Sequence, residues 1–143
     1  MKSLTIKEIK IGDAASLTKT ITVNDVETFA STTGDMNPIH MDDEYAKKTI
    51  FKQRIAHGML VGSLFSPIFG VELPGLGSIY TKQSLKFVRP VNFGDTIIAT
   101  VTVKEIIPDR NRVVFECIAK NQNEETVVTG EAEIMPPLVR QDI

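Results

Sequence analysis

A chain of 143 residues is one domain's worth and is long enough to bury a real core. Its composition, 42% apolar and 24% charged, is that of an ordinary soluble globular protein, and a formal net charge of −2 with no basic cluster interleaved with aromatics argues against nucleic-acid binding. The longest apolar run is internal and too short to span a bilayer, and the one cysteine, Cys117, has no partner for an intramolecular disulfide.

Met1 to Lys10 alternates lysines with apolar residues and has no h-region, so no signal peptide is expected and cytoplasmic residence is the default. Alternating fragments (Leu4, Ile6, Ile9, Ile11) break at Gly12-Asp13, and Leu17 to Ile21 suits a short strand. At Thr22 the period changes. Thr22 and Asp25 have the spacing of a capping box with Asp in place of Glu, and Val26, Phe29 and Ala30 share one helical face, which predicts a helix over 22–32 stopped by Gly34.

Gly34 to His40 reads Gly-Asp-Met-Asn-Pro-Ile-His. Proline rejects a helix interior and pushes the residue before it towards extended conformations, so this stretch is expected to be a shaped loop. Such a loop can turn Asp35 and His40 towards one point, and a carboxylate beside an imidazole is a natural acid/base pair. Turn chemistry is the plainer reading of Asp35 and Asn37, because both residue types bond their own backbone in loops. Asp42-Asp43-Glu44 then places acids at the start of a short helix running to Lys48.

His57-Gly58 opens the most apolar run of the chain, Met59 to Phe69, which predicts a helix buried all round. Backbone N–H groups at its start are ready donors for a developing oxyanion. Gly58, Gly62 and Ser66 recur every four residues as a stripe of small side chains. Glycine within a helix costs about 1 kcal/mol relative to alanine, so either a ligand or another backbone is expected to approach closely there. Pro67 should bend or end the helix near Ser66.

Past Leu73 to Gly77, a loop by composition, period-two patterns predict strands at Ser78–Val88, Thr96–Val103, Val113–Ala119 and Val128–Ile134, with turns at Pro108–Asn111 and Asn121–Glu124. Cys117 falls in this pattern as a small core residue. Pro136-Pro137 ends the last strand, and the tail is expected to be loose. There is no internal repeat, linker or low-complexity segment. The implied architecture is α+β in a single domain over 1–143: one long apolar helix wrapped by an antiparallel sheet. Its sheet edges need cover, which predicts a homodimer or an assembly of dimers.

The run Gly34 to His40, then Ala56-His57-Gly58-Met59, Leu73-Pro74-Gly75 and Gly77-Ser78-Ile79-Tyr80, resembles the (R)-specific enoyl-CoA hydratases of the MaoC-like dehydratase group. The likeness covers nearly the whole chain in order and includes Gln83-x-Leu85-x-Phe87 and Gly94-Asp95. The spacing of Asp35 and His40 is unspecific alone; joined to His57-Gly58-Met59 it is specific. The resemblance implies a hot-dog fold and reversible hydration of trans-2-enoyl-CoA to (R)-3-hydroxyacyl-CoA. It makes Asp35 and His40 the pair that holds and activates water, the Gly58 N–H the oxyanion donor and Ser66 a supporting serine; His57 matches the motif and is read here as structural at the helix start. No metal, flavin or nicotinamide is implied. Coenzyme A belongs to the substrate, an acyl-CoA thioester, and Lys82, Lys86 and Arg89 are candidates to meet its phosphates. Phe69 could close an acyl pocket approached along Gly62, which would favour chains of about four to six carbons. Fatty-acid degradation and the supply of hydroxyacyl-CoA for polyester synthesis both fit.

Three other readings compete. A thioesterase of the same fold would send water to the carbonyl carbon instead of C3. Asp35, His40 and His57 are also nominally the two-histidine, one-carboxylate ligand set of some non-haem iron sites. A non-catalytic acyl-CoA-binding module would keep the fold without turnover.

Overall fold

The four strands that period two predicts are present, and the short strand expected at Leu17 to Ile21 runs instead from Ala14 to Thr20. The computed structural model describes residues 1–143 and places β1 (Ala14–Thr20), β2 (Ile79–Phe87), β3 (Thr96–Ile107), β4 (Arg112–Lys120) and β5 (Thr126–Met135) in one antiparallel sheet of order β1-β3-β4-β5-β2. β3, β4 and β5 form a meander. Its first turn is a one-turn 3-10 helix, Pro108–Arg110, closed by left-handed Asn111. In the second, the Asn121 side chain accepts from the N–H groups of Asn123 and Glu125 at 2.9 and 3.1 Å. The inward residues Ile97, Ala99, Val101, Phe115, Cys117 and Ile134 are wholly buried. Burial pushes the Cys117 thiol up to about 11, which keeps it protonated and inert.

The helix α1 (Val23–Thr33) starts as its sequence predicts. Thr22 Oγ1 accepts from the Asp25 N–H at 3.1 Å, and the Asp25 carboxylate accepts from the Thr22 N–H at 2.9 Å. Gly34, at φ +86°, supplies the left-handed turn that ends it.

The central apolar run is not one regular helix. It consists of α4 (Gly58–Gly62), a turn, α5 (Phe65–Pro67) and a π-helical turn over Ile68–Glu72. Pro67 therefore ends α5 without ending the helical path, because its missing N–H falls at a junction where the bonding pattern changes. The run is also not buried all round: Val61, Phe65, Ile68 and Phe69 face the sheet, while Met59, Ser63, Ser66 and Gly70 are exposed. The two glycines of the small-residue stripe have a packing cause; Ser66 does not share it. A Cβ on Gly58 would stand 2.8 Å from Phe87 Cδ1, and one on Gly62 2.7 Å from Leu85 Cδ1, so β2 lies directly against this face.

The tail is tied down, contrary to expectation. The Arg140 guanidinium grips the Glu8 carboxylate, with Nε 3.0 and 2.9 Å from its two oxygens, and the Gln141 N–H donates to Ser3 Oγ at 2.9 Å. No helix is long and apolar enough to cross a membrane.

Candidate active site

The stretch expected to be a loop contains one turn of helix, α2 (Pro38–Met41), followed by α3 (Asp43–Lys47). Proline is favoured at the first helical position, where its missing N–H would be unpaired in any case. Asn37 caps α2, its side chain accepting from the Ile39 N–H at 3.1 Å. Turn chemistry operates at Asp35 as well, since its carboxylate accepts from the Asn37 N–H at 3.2 Å. The turn reading and the acid/base reading thus describe the same residues: the local bonds shape the segment that presents the pair.

α2 brings His40 inwards, to 9% exposure, while Asp35 remains exposed. The surroundings of the His40 ring fix its tautomer: Nδ1 lies 2.7 Å from the Ile55 carbonyl, which can only accept, so Nδ1 carries a proton and Nε2 has the free lone pair of the neutral ring. Burial holds His40 below the ordinary histidine range; the Ile55 carbonyl pulls the other way, His57 adds to the lowering and Asp35 opposes it. The ring is therefore a neutral base near pH 7. Ligating atoms of Asp35, His40 and His57 lie within 4.8 Å of one another. A water bonded to two acceptors at ~2.8 Å spans about 4.5 Å between them, a span of the same order as that 4.8 Å limit.

These residues form one wall of a cavity of about 450 Å³, within the usual range for small-ligand sites. Gly58 lies on the same wall, and as the first residue of α4 its N–H has no carbonyl of its own helix to bond. Val61, Val91 and Val128 form an apolar floor, and Phe51, Met59 and Phe87 form a partly exposed rim. Arg89 is at the mouth, paired with Glu125 at 3.1 Å. Lys82 and Lys86 do not line it.

Asp35, His40 and Gly58 are brought together; the other three expected site residues are not. Ser66 is exposed on the outward face of the helical run. Gly62 is buried and does not line this cavity; a Cβ there would stand 2.7 Å from Leu85 Cδ1. Phe69 is 2% exposed, with ring centroids of Phe115 and Tyr80 at 4.9 and 5.3 Å, and is a core residue instead of the wall of this cavity. Phe51 and Ile55 line the cavity without having been anticipated. They belong to an irregular stretch with no periodicity to single them out, and only the nearness of His57 in sequence pointed there.

The histidine geometry also bears on the metal reading. The rings of His40 and His57 stack at 3.8 Å with 27° between their planes. Stacked rings present their in-plane lone pairs side by side, whereas a common ion needs them to converge. Each ring gives one nitrogen to a backbone carbonyl, Ile55 for His40 and Asp35 for His57, an arrangement that metal-ligating histidines share, so the stacking alone speaks against a common ion.

The sequence pattern described as MaoC like domain matches residues 8–129. An (R)-specific enoyl-CoA hydratase of Rhodospirillum rubrum is 46% identical over 131 residues, covering 92% of this chain and 90% of the relative. A 3-hydroxybutyryl-CoA dehydratase of Methylorubrum extorquens is 39% identical, covering 96% and 87%. The solved structure of unliganded R-hydratase PhaJ1 from Pseudomonas aeruginosa superposes with a TM-score of 0.93 at 42% identity, covering 99% of this chain and 90% of that one.

Proposed function

The chain belongs to the MaoC-like domain family and has its hot-dog fold, and from that premise we propose that it is an (R)-specific enoyl-CoA hydratase acting reversibly on acyl-CoA thioesters. The observation that carries the reading is His40, neutral and with a free Nε2, beside the Asp35 carboxylate on the wall of a largely apolar cavity.

Hydration adds the oxygen of water to C3 and a proton to C2, while negative charge builds on the thioester oxygen. Two acceptors facing one water, His40 Nε2 and the Asp35 carboxylate, engage both its hydrogens and leave an oxygen lone pair for C3. The proton taken by the pair is returned at C2, so nothing is consumed but water. The Gly58 N–H receives the charge on the thioester oxygen. The chemistry calls for no metal, flavin or nicotinamide. The apolar floor suits the acyl group, and Arg89, which lines the cavity and pairs with Glu125, is the candidate for a phosphate of coenzyme A.

The working unit in this reading is a homodimer in the cytoplasm. β2 is an unpaired edge with Ile79, Tyr80 and Phe87 about half exposed, and the outward side of the helical run adds Met59 at 58%. Ser66 sits on that side, where a second copy would meet it.

Crotonyl-CoA tests the function. Loss of the enoyl absorbance without release of free thiol, undiminished by EDTA and giving the (R)-hydroxy product, is expected. Thiol release in step with turnover would mean hydrolysis, and activity lost on chelation and restored by iron would mean a metal site.

A further inference from the structure

The segment Arg54–His57 clamps the stretch that carries the acid/base pair. Arg54 Nε–H donates to the His40 carbonyl at 2.9 Å, the Ile55 N–H donates to the Ile39 carbonyl at 3.2 Å, and the Ile55 carbonyl receives His40 Nδ1–H. The Ala56 N–H bonds the Val91 carbonyl at 2.8 Å and fastens the clamp to the loop before β3. Only one bond of the clamp reaches Asp35: His57 Nε2 lies 3.0 Å from the Asp35 carbonyl, so it must carry the proton it donates.

A purely structural part at the helix start does not account for this ring. His57 is the residue before α4, yet its side chain makes no capping bond there. It is 2% exposed, stacked on His40 on one side and packed against Phe29 at 4.8 Å, and its Nδ1 is buried without a partner. An apolar ring of the same shape would pack there equally well. What such a ring could not supply is the single donor that reaches the main chain of Asp35.

We propose that His57 is a positioning residue for hydration: Nε2–H holds the Asp35 backbone, and the ring face sets the plane of His40, so that carboxylate and Nε2 meet the same water. This rests on the hydratase reading. Neither function requires His57 to touch the substrate. Misplacing a reacting group by about 1 Å costs about 10²-fold in rate, which sets the scale expected when the donor is removed.

Two substitutions separate the donor from the ring. His57→Phe keeps a stacking ring and loses the N–H. His57→Gln loses the ring, but its amide nitrogen lies the same number of bonds from the backbone as Nε2. Initial rates with crotonyl-CoA are measured for the wild type first, then for both variants, at a temperature below every melting transition. His57→Phe is expected to lose about 10²-fold in kcat with KM within about threefold, and His57→Gln to recover at least about tenfold of that loss. A folded His57→Phe protein with near-normal kcat overturns the proposal, as does a His57→Gln protein no better than it. If His57→Phe does not fold, His57→Gln decides alone: kcat within about tenfold of wild type is expected, and a loss of about 10²-fold overturns it. Absence of wild-type hydration would refute the hydratase reading and this inference with it; wild-type turnover with indifferent variants refutes this inference alone.

Discussion

Gly58→Ala puts the oxyanion donor to the test through a clash that the structure locates. The added Cβ would lie 2.8, 2.9 and 3.2 Å from Cδ1, Cε1 and Cγ of Phe87. Carbon atoms prefer about 3.5–4.0 Å, so the ring or the start of α4 must give by about 0.7 Å. Spinning the ring does not help, because Cγ is among the crowded atoms. Phe87 is 50% exposed, so part of the strain can be relieved outwards. Alanine also gains about 0.4–1 kcal/mol over glycine by restricting the unfolded chain, against about 1–3 kcal/mol for overpacking. The net effect on stability is a loss of about 0–2 kcal/mol, or a few degrees in Tm. The effect on rate is larger, because a donor moved by a large fraction of an ångström costs about 10²-fold. Initial rates with crotonyl-CoA and a thermal melt on the same preparation measure both. A kcat within threefold of wild type, in a variant shown to be folded, would refute Gly58 as the donor.

Lowering the pH should expose His40 twice. Its folded pKa lies below the ordinary value of 6.5, so the unfolded chain takes up the proton first as pH falls, and the stability tied to the neutral ring is lost on acidification below about 6.5. The acid limb of kcat/KM should accordingly lie below 6.5, and Tm should fall more steeply between pH 7 and 5 than in His40→Gln; a limb above 6.5 contradicts the burial argument. Phe69→Ala should cost about 3–5 kcal/mol by opening a void between Phe115 and Tyr80, lowering Tm by about 10 °C or more; an unchanged melt would remove Phe69 from the core. Sedimentation at micromolar concentration should find a dimer as the smallest active species, and an active monomer would mean that the β2 edge needs no cover.

Local signals carried most of the fold. The Thr22/Asp25 box and Gly34 mark both ends of α1, and strict alternation marks β3, β4 and β5. The misreadings have physical reasons. Proline is hostile to a helix interior, but Pro38 occupies the first helical position, which welcomes it, with Asn37 as the cap. At Pro67 the chain shifts to a π turn and keeps its direction. The tail is held by Arg140 reaching Glu8, a contact 132 residues apart that no periodicity encodes. In the site, the Asp35, His40 and Gly58 cluster was legible because the three sit in two short motifs. The places of Gly62 and Phe69 were not legible, because they depend on where β2 and Phe115 pack. His57 is the intermediate case: its motif is visible, but the bond to Asp35 depends on a stretch 22 residues away in sequence.

Asp35→Asn tests the centre of the account most directly. Asparagine keeps the size of the side chain and its bond from the Asn37 N–H, so the turn survives, but it accepts no proton from water. The predicted result is a loss of about 10²–10⁴-fold in kcat for crotonyl-CoA hydration, with Tm and oligomer size unchanged. Combination with His40→Gln should cost far less than the product of the two single losses, because residues acting on one water act as a unit. Near-normal hydration by a well-folded Asp35→Asn protein would contradict the acid/base assignment and leave Asp35 with turn chemistry alone.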